Sequence, residues 1–153
     1  KQLNQLIKNK NFTNNLISNV ATTLKLIKGG KYTSIILNYD EQSDNLFKWY
    51  QQLIAESLGK KSQGILPVVS SMPKDNHSLM QLYLDGPKKS FYTFFDVLDN
   101  EVVRIKKDKI LQSHKYLKNC TIEKIKQSQM KATQKVFKSK SIPFRSFIIK
   151  KRN

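Results

Sequence analysis

Four short runs rich in β-branched and aromatic residues narrow the fold of this chain more than any other feature. They are YTSIILNY (32–39), GILPVV (64–69), SFYTFFDVL (90–98) and FRSFIIKK, which follows Pro143. Each is too short for a buried helix and is flanked by turn-forming residues, so each reads as a strand. Between them lie stretches of helical period. Apolar residues recur from Leu3 to Ile27 and stop at Gly29-Gly30, a C-terminal signal. A second helix is expected over about 44–58, with Asp40 and Ser43 as caps. One or two helical turns follow at 78–84, and further helices at about 109–118 and 121–138. Strands that alternate with helices need crossover connections. The expectation is therefore one α/β domain with a mostly parallel sheet covered by helices, a three-layer αβα sandwich. The 153 residues suffice for a real core, and neither repeats nor low-complexity linkers interrupt them.

Composition excludes some functions and leaves others open. Apolar residues make up 39% of the chain and charged residues 25%, a balance that suits a folded globular protein. No apolar run approaches the roughly 20 residues that span a bilayer. KQLNQLIKNK at the start has no apolar core of a secretory signal and no initiator Met, so it reads as a processed product or an excised piece. A single cysteine, Cys120, excludes an internal disulfide and suggests a reducing, cytoplasmic setting. The net charge of +17 would suit nucleic acid, an anionic surface or a phosphorylated small substrate. The lysines are dispersed among Asn and Ile, however, and no recognisable nucleic-acid motif accompanies them.

One helix carries the residues that point to chemistry. In WYQQLIAESLGKK (49–61), Leu46, Phe47, Tyr50, Leu53 and Ile54 are expected to pack on the sheet. Trp49, Gln52 and Glu56 form a neighbouring stripe, with Gln52 and Glu56 one turn apart. A carboxylate near a helix C-terminus faces the negative end of the macrodipole, and partial burial beside Trp49 would add to that. Both effects raise a carboxyl pKa toward the range of a base working near neutral pH. Gly59 would end the helix and let the chain wrap close to a ligand, with Lys60 and Lys61 adding positive charge.

QQLIAESLGKKSQGILPVV, followed by PKDNHSLMQLYLDGPKKSFYTFF, resembles bacterial-type glucose-6-phosphate isomerase. The matching elements are a Q-x-x-x-E-S-x-G-K helix, a G-x-x-P strand entry, a D-x-H-S loop and a Q-L-x-x-D-G-P segment, in that order. The resemblance is dense over about 32–97 and looser on both sides, and PFRSFII resembles a later strand of the same domain. It implies a sugar isomerase (SIS) type, flavodoxin-like fold. Residues 31–153 would be the second SIS domain and residues 1–30 an N-terminal connecting helix region. By the same resemblance, Glu56 would be the base that moves a proton between C2 and C1 through a cis-enediol(ate). Gln52 would bind substrate, and His77 would open the sugar ring, supplied in a homodimer to the neighbouring subunit's site. Glucose 6-phosphate and fructose 6-phosphate would be the substrates, with neither metal nor other cofactor, in glycolysis and gluconeogenesis.

Other elements of the family's pattern have no counterpart here. These are the phosphate-binding Ser/Thr loop, the Gly-Arg segment and the C-terminal helix with its catalytic Lys. The chain is therefore expected to be part of a larger enzyme and inactive alone. Asp75 and Ser78 read as turn or cap residues and Asp85-Gly86-Pro87 as a turn. His114, Cys120 and the KKDK run (106–109) are assigned no chemistry. Alternative readings are another sugar-phosphate isomerase, a sugar-phosphate-binding SIS domain, or a basic nucleic-acid-binding module. Against the last, the aromatics at 91, 92, 94 and 95 fall in a run that reads as buried strand.

Overall fold

A computed structural model describes residues 2–98, 104–105 and 111–150. Its elements in chain order are α1 (Gln2–Lys8), α2 (Lys10–Lys28), β1 (Thr33–Asn38), α3 (Asp44–Leu58), β2 (Leu66–Ser71), α4 (Asp75–Ser78), α5 (Met80–Asp85), β3 (Ser90–Val97), α6 (Ile122–Ser139) and β4 (Phe144–Ile149). Short 3₁₀ turns at Glu41–Ser43 and Gln112–Leu117 precede α3 and α6. The expected helix at 109–118 is that second turn, and its first two residues lie outside the described ones, as does KKDK.

The four strands form one sheet in the order β2-β1-β3-β4, and every pairing is parallel. Parallel neighbours cannot be joined by tight turns, so each crossover carries a helix or helical turns. This is the α/β architecture the alternating pattern predicts. Alternation along β1 then divides two faces. Ile35, Leu37 and Tyr39 enter the main core with Tyr92 and Phe94 of β3, Tyr83 of α5, and Met130 and Phe137 of α6. Edge-to-face aromatic contacts tie this core together: Phe94 lies 5.4 Å from Phe137 and 5.2 Å from Phe144, ring centre to ring centre. Phe91, Tyr92 and Phe94 are thus buried, which removes them as stacking surfaces for bases.

The opposite face is less well covered. Phe47 of α3 packs edge-on to Phe95 at 4.8 Å, but α2 buries no residue at all. β4 does not alternate as the sequence suggests, because Phe147, Ile148 and Ile149 are all exposed on the outer strand.

Within the main core, Asp96 at the end of β3 is 0% exposed, and its Oδ1 lies 2.9 Å from Lys126 Nζ on α6. Lys126 also pairs with Glu123 at 2.9 Å. Burial pushes the Asp96 carboxyl above its usual range even though Lys126 pulls it back.

Candidate active site

Helix α3 begins beyond the C-terminal end of β1 and runs back antiparallel to it. Its inward arc is Phe47, Tyr50, Gln51 and Ile54, a spacing of three to four residues per turn. Tyr50 Oη and Ser34 Oγ lie 3.4 Å apart, and Gln51 Nε2 donates to the Pro67 carbonyl at 3.1 Å. The expected inward stripe is therefore corrected. Leu46 and Leu53 face solvent with Trp49, which is 58% exposed. With Phe47, Tyr50 and Ile54 against the sheet, residues one position away are turned roughly 100° off it. Capping also differs from expectation. Ser43 precedes the helix without a side-chain bond to it, and its hydroxyl donates to the Asp40 carboxylate instead.

The same rotation brings Gln52 and Glu56 together on the outer surface, where Gln52 Nε2 donates to Glu56 Oε1 at 3.0 Å. Both side chains are exposed, so in this chain Glu56 is not sheltered by Trp49 as the sequence reading expected. The helix stops at Gly59, whose N–H still bonds the Ala55 carbonyl at 3.0 Å but whose ψ of 58° leaves the helical range, and an added Cβ there would lie 2.5 Å from that oxygen. Lys61 and Ser62 follow with φ of 55° and 57°, and Gly64 with φ of 126°. This tight reversal delivers the chain to Leu66, whose N–H bonds the Tyr32 carbonyl at the start of β1. Glu56 thus lies toward the N-terminal edge of the sheet.

His77 lies at the other edge. It sits in α4, six residues beyond the end of β2. Asp75 fixes this corner: Oδ2 accepts from Ser70 Oγ and Ser71 N–H, both at 2.8 Å, and Oδ1 accepts from Ser78 Oγ at 3.3 Å. Asp75 is therefore the turn-forming residue it was read to be. The imidazole of His77 is exposed and makes no hydrogen bond to the described residues. β2 has six residues, and at about 3.3 Å each it separates the two edges by roughly 20 Å. One copy of the chain brings Gln52 to Glu56 but keeps His77 from both.

Sequence reasoning missed Gln51, although it precedes Gln52. Its amide ties the middle of α3 to the outer strand β2. The only available signal was its place four residues after Phe47, one turn along the inward side. Asp85, read as part of a turn, is instead the exposed last residue of α5 and pairs with Lys140 at 2.8 Å, and His114 is exposed beside Ser113 and Tyr116. Among the described residues no three His, Cys, Asp or Glu side chains gather as a metal site. No described helix is long and apolar enough to cross a membrane.

The fold and site define an α/β domain with an exposed Gln–Glu pair at a helix end. A solved structure of a hypothetical protein from Thermus thermophilus has this fold, with a TM-score of 0.75 and 24% identity, over 85% of this chain and 33% of that one. No family model matches. The chain is related to part of the glucose-6-phosphate isomerases. It is 39% identical to the one from Methanocaldococcus jannaschii over 122 residues, covering 76% of this chain and 28% of that protein. It is 31% identical to the one from Mycoplasmopsis pulmonis over 136 residues, covering 87% of this chain and 32% of that protein. The chain thus spans about a third of the length of these curated relatives.

Proposed function

We propose that this chain is the second SIS domain of a cytoplasmic enzyme that interconverts glucose 6-phosphate and fructose 6-phosphate. The observation that carries this reading is the Gln52–Glu56 pair, outward on α3 and closed by the Gly59–Gly64 reversal. It coincides with relatives named glucose-6-phosphate isomerase.

Isomerisation of an open-chain aldose to a ketose moves one proton between adjacent carbons. Glu56 removes the proton from C2 while O1 gains one, giving a cis-enediol(ate). The carboxylic acid then returns its proton to C1 as O2 loses its own, leaving the carbonyl at C2. A single carboxylate reaches both carbons if it is held in line and kept dry. Gln52 donates to the Glu56 oxygen, which fixes the carboxylate orientation and leaves a second N–H to meet a sugar hydroxyl. Because Glu56 is exposed in this chain, the surface that excludes water comes from elsewhere in the full-length protein.

Ring opening precedes this step and needs a group that exchanges protons near pH 7, for which an imidazole is suited. His77 lies at the sheet edge opposite Glu56, which supports its delivery to the site of a second copy in a homodimer.

A coupled assay on the full-length polypeptide tests the reading. Glu56→Gln should lower kcat by several orders of magnitude and leave KM within a few-fold. A variant that still turns over would move the base elsewhere. Mixing Glu56→Gln with His77→Ala subunits tests the shared site. Random exchange should restore activity to about a quarter of wild type, since half the dimers are mixed and each has one intact site. No recovery would place both residues in one subunit's site.

A further inference from the structure

The less covered face of the sheet holds an elongated cleft of about 730 Å³ between α2 and α3. Leu16, Val20 and Leu24 of α2 form one wall and Ile54 and Leu58 of α3 the other, with Arg145 and Phe147 of β4 at its end. The three α2 residues are about half exposed and stand one turn apart in a row. A row of this length covers roughly 12 Å of helix axis. An open apolar surface on this scale marks a contact site.

Arg145 sets the chemistry of whatever fills the cleft. It is partly buried on the same face as Thr93, its register partner. Its Nε donates to Thr93 Oγ1 at 3.1 Å, one terminal nitrogen reaches Asn19 Oδ1 at 3.3 Å, and its plane lies 5.2 Å from the Phe147 ring centre. All three partners are neutral. Among the described residues no carboxylate lies within ion-pair distance of the guanidinium. Burial pulls its pKa below the usual value, yet a guanidinium stays charged in proteins. A planar fork with free N–H donors at the end of an apolar cleft is complementary to a carboxylate, which it can bind in bidentate fashion.

We propose that this cleft receives an amphipathic helix from elsewhere in the full-length polypeptide, apolar on one face and carrying one Asp or Glu that pairs with Arg145. An elongated trough walled by two helices has the form into which a further helix packs, 8–10 Å from its neighbours. The acid is expected from outside these residues because this chain holds 28 basic side chains against 11 acidic ones. The curated relatives carry more than twice as much chain again outside the matched part, so one polypeptide has such a helix to offer. The inference goes beyond the isomerase reading but rests on its premise that this chain is one part of a longer polypeptide. Seating that helix would also press on α3, whose neighbouring face carries Gln52 and Glu56.

Photo-cross-linking in the full-length protein tests this, with a benzophenone amino acid in place of Val20. The expected product is intramolecular, and peptide mapping should place it within one helical turn of an Asp or Glu. Arg145→Met should cut its yield at least fivefold while Arg145→Lys keeps at least half, which separates loss of charge from loss of fold. A product joining two copies would overturn the proposal. So would a link to a co-purified lipid, a link with no acid within a turn, or no product at all. Equal yields from Arg145→Met and wild type would overturn the ion pair.

Discussion

At Gly64 the backbone adopts φ of 126°, and a Cβ there would lie 2.9 Å from the Leu58 carbonyl oxygen. Gly64→Ala should therefore destabilise the domain by about 1–3 kcal/mol, read as a lower urea midpoint with an unchanged m-value. An unchanged midpoint would mean the reversal after α3 relaxes freely. Asp75 presents a parallel case at the other sheet edge. Asp75→Ala removes the acceptor for Ser70 Oγ and Ser71 N–H, and orphaning such donors costs about 1–3 kcal/mol. Faster amide exchange at Ser71 should accompany that loss. Unaltered protection at Ser71 would show that another group holds the corner. The residue types at both positions are visible in the sequence, as a glycine and a D-x-H-S turn. The carbonyl that Gly64 approaches and the two serines that Asp75 holds are not, because they depend on where neighbouring segments return.

Helices α3 and α6 each carry a polar tie that their hydrophobic pattern does not reveal. On α3 the tie is Gln51 to Pro67. On the proposed isomerase reading, Gln51→Ala in the full-length polypeptide should lower kcat by roughly tenfold, since small misplacements of a catalytic group are costly. KM should hardly change, and Gln52→Ala should raise KM instead. A Gln51→Ala enzyme with wild-type kcat would show that Phe47, Tyr50 and Ile54 seat the helix alone. On α6 the tie is Lys126 to the buried Asp96. Lys126→Met leaves that carboxylate buried without its partner, at a cost of about 3–5 kcal/mol near pH 7. Asp96 already holds its proton above the usual carboxylate range because of burial, and losing Lys126 raises its pKa further. The folded state of the variant then binds a proton that the unfolded state releases, so its stability recovers as pH falls. Denaturation at pH 7 and pH 5 checks the sign. A deficit that grows on acidification would contradict it.

For the molecule as a whole, buried tyrosines set the alkaline limit. Burial pushes Tyr39 and Tyr83 up and Tyr92 up to about 12, hydrogen bonds to side chains opposing it in each case. The unfolded chain ionises its tyrosines near pH 10. Between there and the folded values the native state binds more protons, so stability is full below pH 10 and declines as pH rises toward 12. Tyr92 alone accounts for about 3 kcal/mol across that span. Absorbance titration should show three of the six tyrosines ionising late and together with unfolding. A single midpoint near 10 for all six would refute this.

The alternation of short apolar runs with helical stretches sufficed for an α/β domain. A parallel sheet needs crossovers, and four strands separated by helices satisfy that locally. The Gln52–Glu56 pair was equally legible, because a separation of four residues on a helix is itself a spatial statement. Which side of α3 faces inward was not legible. Leu46, Phe47, Tyr50, Leu53 and Ile54 span more arc than one sheet covers, and only packing against Phe95 and Pro67 chose among them. The roughly 20 Å between Glu56 and His77, the Asp96–Lys126 pair and the charge of Arg145 at the end of an apolar cleft were decided by tertiary structure. Each joins residues far apart in the chain, and sequence periodicity carries no information about distances between elements.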